Sequence, residues 1–306
     1  MAMAAVQRHE DPRVSEIAFL GAVELGLVYA FVGIGVFLAF RVLDFPDLTV
    51  DGSLPLGAAV CAVLILAGVN PWLATLGAMI AGAAAGLVTA FLNVRFKILH
   101  LLASILTMIA LFSINLRVMG RPNVALIGEE TVLTPFTGLF GIPDHYMRPL
   151  FLAVFVAIVV WLMARFLASD FGLAMRATGT NQRMARAQGI KTSVHIFAGI
   201  ALSNALVGLA GALFAQTNGF ADVTTGIGTI VVGLAAVIVG ETVLPSRRIA
   251  IALIGCVIGS VLYRIAIQLA LSADVIGLKA SDLNLATAVL VALALILPRL
   301  RKGASQ

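Results

Sequence analysis

The feature that most constrains this chain is a succession of apolar runs, each close to the length of a membrane crossing, with few polar residues between them. They cover residues 17 to 40, 54 to 69, 72 to 92, 98 to 118, 149 to 168, 194 to 216, 227 to 243, 249 to 271 and 284 to 298. A helix needs about 20 apolar residues to cross about 30 Å of hydrocarbon, and these runs lack the alternation of a barrel strand. The chain therefore reads as an all-α, polytopic integral membrane bundle of about eight to ten membrane helices, broken half-helices included. Composition agrees: 61% of the residues are hydrophobic, 11% are charged and the mean hydropathy is +1.07. No water-facing globular surface sustains that balance. His9, Glu10, Asp11, Arg13 and Glu16 precede an apolar run too long for a cleaved signal peptide, so that run is expected to stay as the first membrane helix.

The formal charge of +5 comes without the basic face of a soluble fold that nucleic acid would need, and a positive-inside bias accounts for it. Arg165, Arg176, Arg183, Arg186 and Lys191 outweigh Asp170, which makes 169–192 a cytoplasmic loop. Arg121 is offset by Glu129, Glu130 and Asp144, which makes 119–146 an external one. The Arg247–Arg248 turn and the tail with Arg299, Arg301 and Lys302 count as cytoplasmic, so the C-terminus is expected inside. The N-terminal half stays open, because Arg41 lies near Asp44, Asp47 and Asp51 while Arg95 and Lys97 pull the next turn inward. Cys61 and Cys256 sit within apolar runs and are expected as free thiols.

Two segments read as broken helices. "DFPDLTVDGSLPLGAAV" (44–60) and "GFADVTTGIGTIVVGLAAV" (219–237) each set Asp, Thr and Gly beside an apolar run. Asp47-Leu48-Thr49 aligns with Asp222-Val223-Thr224, which raises a two-fold internal pseudo-repeat of the kind that points to a transport pathway. The alternative is two polar loops with helix caps at Ser53 and Thr229. Gly82 and Gly86, Gly208 and Ala212, and Gly255 and Gly259 are spaced for close helix contact. His100, Ser104, Thr107 and Asn115 share one helical face, which is either packed in the bundle or wet. Glu24 and Arg264 are the ionisable residues placed deepest in apolar runs, where a charge costs at least about 2.5 kcal/mol.

Soluble-enzyme chemistry is missing. There is no P-loop, no H-E-x-x-H, no G-x-S-x-G and no paired-cysteine metal spacing, and the four histidines are scattered. No catalytic residue and no metal site is expected.

The polar stretch "DFGLAMRATGTNQRMARAQGIKT" (170–192) stands out between two strongly apolar runs. Gly172 suits a turn out of the preceding helix, Gly179 and Asn181 a helix end and a new start, and Gly189 a second end. This predicts a compact helix–turn–helix, either a solvated loop or a docking element.

The run "GLAMRATGTN" from Gly172 to Asn181, with Ala185 and Gly189-Ile190 after it and "ALSNALVGLAGALFA" beyond, resembles the cytoplasmic loop signature of ABC importer permeases in the branched-chain amino-acid and simple-sugar group. "DLTVDGSLPLGAAV" and "ASILTMIALFSINLRVMGRPNV" are most similar to the tryptophan/tyrosine-type subgroup. The resemblance runs along most of the chain and implies a single permease domain over 1–306 in a bacterial plasma membrane. It further implies that 169–192 is the coupling helix, with Gly172, Met175, Arg176, Gly179, Asn181, Arg183, Ala185 and Gly189 docking on an ATPase subunit. The implied partners are a second permease copy, two ATP-binding-cassette subunits that carry the Mg-ATP, and an extracytoplasmic solute-binding protein, with no cofactor in this chain. Asp47, Thr49, Asp51, Ser113, Asn115, Asp222 and Thr224 become candidates to line the pathway of a small polar solute, expected to be an amino acid, with the subgroup's label pointing to an aromatic one. Half-helix N-termini near Ser53 and Thr229 would then face its carboxylate, and Asp47 its ammonium. The competing reading is a secondary transporter driven by an ion gradient without an ATPase.

Overall fold

The computed structural model describes residues 12–136, 143–246 and 248–272; the expected helix at 284–298, the basic tail and Arg247 lie outside the described residues. The helices are α1 (Pro12–Val36), α2 (Val50–Leu66), α3 (Pro71–Phe96), α4 (His100–Met119), α5 (Asp144–Ala168), α6 (Asp170–Thr180), α7 (Gln182–Ala187), α8 (Thr192–Asn218), α9 (Thr229–Val243) and α10 (Ile249–Ser272). Among the described residues six helices are long and apolar enough to cross a membrane, and α2 and α9 are shorter apolar helices. α1 runs on into a π-helical turn over Phe37–Val42.

Local sequence sets several of the ends. Asn70 accepts the Trp72 N–H at 2.9 Å and Pro71 fills the first helical position, which starts α3. Gly120 and Gly219 adopt left-handed backbone (φ +67° and +75°) and close α4 and α8. The structure adds one element the sequence did not suggest, an antiparallel ribbon of β1 (Asn123–Ala125) and β2 (Phe220–Asp222) that pairs Asn123 with Asp222.

Contacts between helices fix their directions. α8 runs antiparallel to α1, since the Ser203 hydroxyl donates to the Gly35 carbonyl at 2.7 Å and Phe214 meets Tyr29 edge-on. It is also antiparallel to α3, with Gly82 against the Asn204 carbonyl and Gly86 against that of Ile200. It is parallel to α2, with Gly57 against Gly208 and Cys61 beside Gln216. α10 repeats the arrangement from the other side: it is antiparallel to α1 through Gly26 and Val261 and antiparallel to α9 through Gly240 and Gly255, while α9 lies parallel to α1. The triplet α1–α2–α3 is thus related to α8–α9–α10 by an inverted pseudo-repeat. All three spaced pairs of small residues lie at crossings, where glycine lets the backbones touch. A Cβ on Gly57 would stand 2.1 Å from the Gly208 carbonyl oxygen.

The bundle has two distinct ends. α1 and α5 begin together, where the Tyr146 hydroxyl donates to the Glu16 carboxylate. α1 finishes at Val42 against Gly179 of α6. Arg95, Lys97, Arg165, Arg183, Arg186, Lys191 and Arg248 are exposed at that finishing end, whereas Arg117 and Arg121 share the opposite end with the exposed Glu129 and Glu130.

Candidate functional site

The two broken segments meet inside the bundle. Residues 43–49 carry the chain back from the end of α1 into the bundle, where α2 starts; residues 223–228 carry it inward from the ribbon to the start of α9. The aligned tripeptides fold alike. Asp47 accepts the Thr49 N–H at 2.9 Å, and Asp222 accepts the Thr224 N–H at 2.7 Å. Their surroundings then diverge. Asp47 and Thr49 are fully buried; the other Asp47 oxygen accepts from Asn204 Nδ2 at 2.6 Å, and the Thr49 and Thr89 hydroxyls lie 2.7 Å apart. Asp222 sits in the ribbon and accepts from Asn123 Nδ2 at 3.0 Å. Partial burial raises its pKa, but hydrogen bonds from the Thr224 hydroxyl, Asn123 and the Thr224 N–H outweigh that, and the carboxyl stays below the usual carboxylate range.

The start of α9 is closed by a residue from another helix. Asp51, in the first turn of α2, accepts the Ile230 N–H at 2.7 Å and the Gly228 N–H at 3.3 Å. The positive N-terminal end of α9 is thereby matched to a carboxylate from this chain. Neither expected cap acts as one. Ser53 lies inside α2 and donates to Asn204 Oδ1 at 2.7 Å, and Thr229 opens α9 with its hydroxyl buried and without a hydrogen-bond partner. Gly226 packs so closely on α2 that a Cβ would fall 1.9 Å from the Asp51 carbonyl oxygen. That carbonyl is the one Pro55 leaves without an intrahelical donor.

Beside this junction lies a cavity of about 440 Å³, lined by Asp51, Gly52, Pro55, Met108, Ile109, Phe112, Ser113, Asn115, Val223 and Ile227. Of the pathway candidates, Asp51, Ser113 and Asn115 reach it; Asp47, Thr49, Asp222 and Thr224 are not among its lining residues. The polar face of α4 is mostly packed: Thr107 and Ser104 bond back to the carbonyls of Ala103 and Leu101, and Asn115 Nδ2 donates to the Gly52 carbonyl at 3.2 Å. The ring of His100 packs edge-on against Phe45. The apolar walls contributed by Met108, Ile109 and Phe112 had no signal in the sequence, since they look like any lipid-facing residues. Asn204, which ties the first broken segment to α2, was legible as a polar residue in an apolar run.

The polar stretch forms two helices at the basic end. Ser169 caps α6 by accepting the Gly172 N–H at 3.3 Å, and Asn181 caps α7 by accepting the Met184 N–H at 3.0 Å. Gly189 takes left-handed backbone (φ +84°) after α7. Gly172 and Gly179 are helical rather than turn residues, and each serves a close approach: Gly172 to the Phe166 carbonyl, Gly179 to that of Val42. Met175 is 0% exposed and packs inside this chain, as does Ala185, while Met184, Asn181, Arg183 and Arg186 are exposed and Arg176 is half-buried. The end of α1 is the seat of α6 and also holds α9, through a bidentate ion pair in which Arg41 donates to Glu241, Nε to Oε1 at 2.7 Å. Of the deep ionisable residues, Glu24 lies in the field of Arg148, and Arg264 stacks 3.9 Å from the centre of the Tyr29 ring.

Known proteins bear on this arrangement. The family described as "Branched-chain amino acid transport system / permease component" matches residues 19–298. A tyrosine transport system permease protein of Clostridioides difficile is 37% identical over 87% of this chain and 86% of its own. A D-allose transport system permease protein of Escherichia coli is 30% identical over 64% of this chain and 58% of its own. Among solved structures, PsaBC from Streptococcus pneumoniae in complex with Fab shares the fold with a TM-score of 0.52 at 14% identity, covering 91% of this chain and 90% of that one. A family match over almost the whole chain, on a bundle of apolar helices with two broken segments meeting at a cavity, establishes that this protein belongs to the branched-chain amino-acid-type permease family of ABC transporters, as a membrane-integral permease subunit.

Proposed function

We propose that this permease imports a small amino-acid-like solute across a bacterial plasma membrane by alternating access, driven by ATP hydrolysis in a separate subunit. The observation that carries the reading is the junction of α2 and α9 beside the cavity, with α9 running from that junction to the seat of α6. A movement of α6 at the basic end has a direct mechanical route to the cavity along one short helix. In this reading α6 and α7 dock on the ATPase: Met184, Arg183 and Asn181 offer contacts, Arg176 stands at the edge, and Gly172, Met175, Gly179, Ala185 and Gly189 shape and seat the element. The coupling needs differential contact in two states, because a partner that binds both equally shifts nothing.

The basic end is cytoplasmic in this assignment, which fits the concentration of exposed Lys and Arg there, and the charge of the tail argues for a cytoplasmic C-terminus. The opposite end, with β1, β2 and the buried Val132 and Leu133 of the long loop, receives the solute-binding protein. A second permease copy, most simply an identical one, and two ATPase subunits carrying Mg-ATP complete the complex. The amino-acid assignment rests on the likeness to the tyrosine permease. The ion-gradient alternative leaned on the pseudo-repeat and on the buried ionisable residues Glu24 and Arg264; an inverted repeat serves either mechanism, and Arg264 is stacked on the Tyr29 ring.

The test is uptake into proteoliposomes holding the permease with and without its ATPase and binding protein, across aromatic and branched-chain amino acids and sugars. Uptake that requires ATP and both partners is expected. Gradient-driven uptake by the permease alone would overturn the proposal.

A further inference from the structure

The cavity at the α2–α9 junction is asymmetric in its chemistry. Asp51 is the charged group among the described residues that line it, and it is an acid. Its carboxylate already accepts two backbone N–H groups, one on each oxygen, and each oxygen keeps a further acceptor site. Those two donors are the open end of α9, so the partial positive charge that would attract a carboxylate is already matched by Asp51. Asn115 supplies the second observation. It lines the cavity and is fully buried; its Nδ2 donates to the Gly52 carbonyl, and its Oδ1 has no hydrogen-bond partner. A buried acceptor without a donor costs about 1–3 kcal/mol and invites a ligand donor. The rest of the wall is apolar: Met108, Ile109, Phe112, Val223 and Ile227.

We propose that Asp51 and Asn115 Oδ1 form an ammonium-recognising pair in this cavity, with Phe112, Met108 and Ile109 receiving an apolar or aromatic side chain. An ammonium carries three donors and no acceptor, so it satisfies the orphaned amide oxygen and the spare acceptor sites of the carboxylate together. A solute carboxylate meets a like charge and an acceptor with nothing to give it. The proposal rests on the amino-acid reading above and sharpens it: during passage the cavity selects the amino end of the solute, and the carboxylate points away from α9. It also moves the recognising acid from Asp47, which is fully buried and does not line the cavity, to Asp51, which does.

The test reads the cavity directly. Ser113→Cys places a thiol on its wall, and the permease is assembled with its ATPase and binding protein in liposomes and labelled with a maleimide, with the parent chain and its buried Cys61 and Cys256 as background. Tyramine and tyrosine are expected to slow labelling, and hydroxyphenylpropionate, which lacks the ammonium, is not. Asp51→Asn keeps an acceptor for the α9 cap and should raise the tyramine concentration needed for protection roughly tenfold. Asn115→Leu removes the amide oxygen and should raise it as well, with melting of the purified permease separating this loss from misfolding. Equal protection by hydroxyphenylpropionate and tyramine, or no response to Asn115→Leu in a permease that melts as the parent does, overturns the ammonium pair. Amino-acid uptake is scored in the same liposomes. Absent uptake with ammonium-selective protection intact refutes amino-acid import and upholds the site, whereas uptake without that selectivity refutes the site and upholds import.

Discussion

Replacing Gly179 with alanine tests the seat of the coupling element at a single carbon atom. The added Cβ would stand 2.0 Å from the Val42 carbonyl oxygen and 2.8 Å from Leu43 Cα, where ordinary contact begins at 3.4 Å. Both atoms are backbone, and they sit at the π-helical end of α1, so no side chain can swing aside. α6 must therefore part from α1 by about 1.4 Å, the gap between 2.0 and 3.4 Å. Overpacking of this kind costs about 1–3 kcal/mol. If that strain falls only on the state in which α6 is seated, its population drops by about five- to 140-fold. The bundle itself should survive, because Gly179 lies in the first of two short helices outside the membrane-length ones. The assay is the ratio of solute imported to ATP hydrolysed in proteoliposomes, with melting of the purified permease as the fold control. Gly189→Ala is the comparison: it has open space around it and pays only for left-handed backbone, about 1 kcal/mol. Gly179→Ala is expected to lower the ratio at least about fivefold with melting nearly unchanged, and Gly189→Ala to lower it far less. A Gly179→Ala complex that imports with the parent ratio would refute the reasoning, since the close approach would then carry no part of the coupling.

Asn204→Leu removes a donor from the buried Asp47 and an acceptor from Ser53, and should destabilise the permease by about 1–3 kcal/mol in a detergent unfolding experiment; an unchanged transition would mean that Asp47 finds other partners. Arg41→Ala should leave stability within about 1 kcal/mol, because the ion pair is largely exposed, yet reduce coupled uptake, and the exchange Arg41→Glu with Glu241→Arg should restore it; no rescue by the exchange would show that the pair carries no coupling. Asp222 has a folded-state pKa below its unfolded one, so its contribution to the ribbon is complete above about pH 3.9 and disappears as pH falls through the lower folded value. Hydrogen exchange at the β1–β2 amides should quicken on acidification through that window in the parent and lose that dependence in Asp222→Asn; identical profiles for the two would remove Asp222 from the ribbon's stability.

What the sequence determined by itself is what local physics can encode. The length of the apolar runs set the spans, because the hydrocarbon thickness demands about 20 residues whatever the neighbours. Asn181 and Gly189 marked helix boundaries, because a cap and a left-handed turn need nothing beyond adjacent backbone. The paired Asp-x-Thr segments were visible, and both fold as the same local turn. The tertiary structure decided everything that depends on which residues meet across long separations. In a membrane protein the lipid-facing and core-facing sides of a helix are both apolar, so no periodic pattern tells them apart. That is why Met175 and Met184 read alike in the sequence, while the fold turns one inward and leaves the other exposed. It is also why the acid that caps α9 was not found at Ser53 or Thr229: it is Asp51, which reaches the open end of α9 only because inverted triplets bring two half-helix starts together inside the bundle, where every polar backbone group must find a partner.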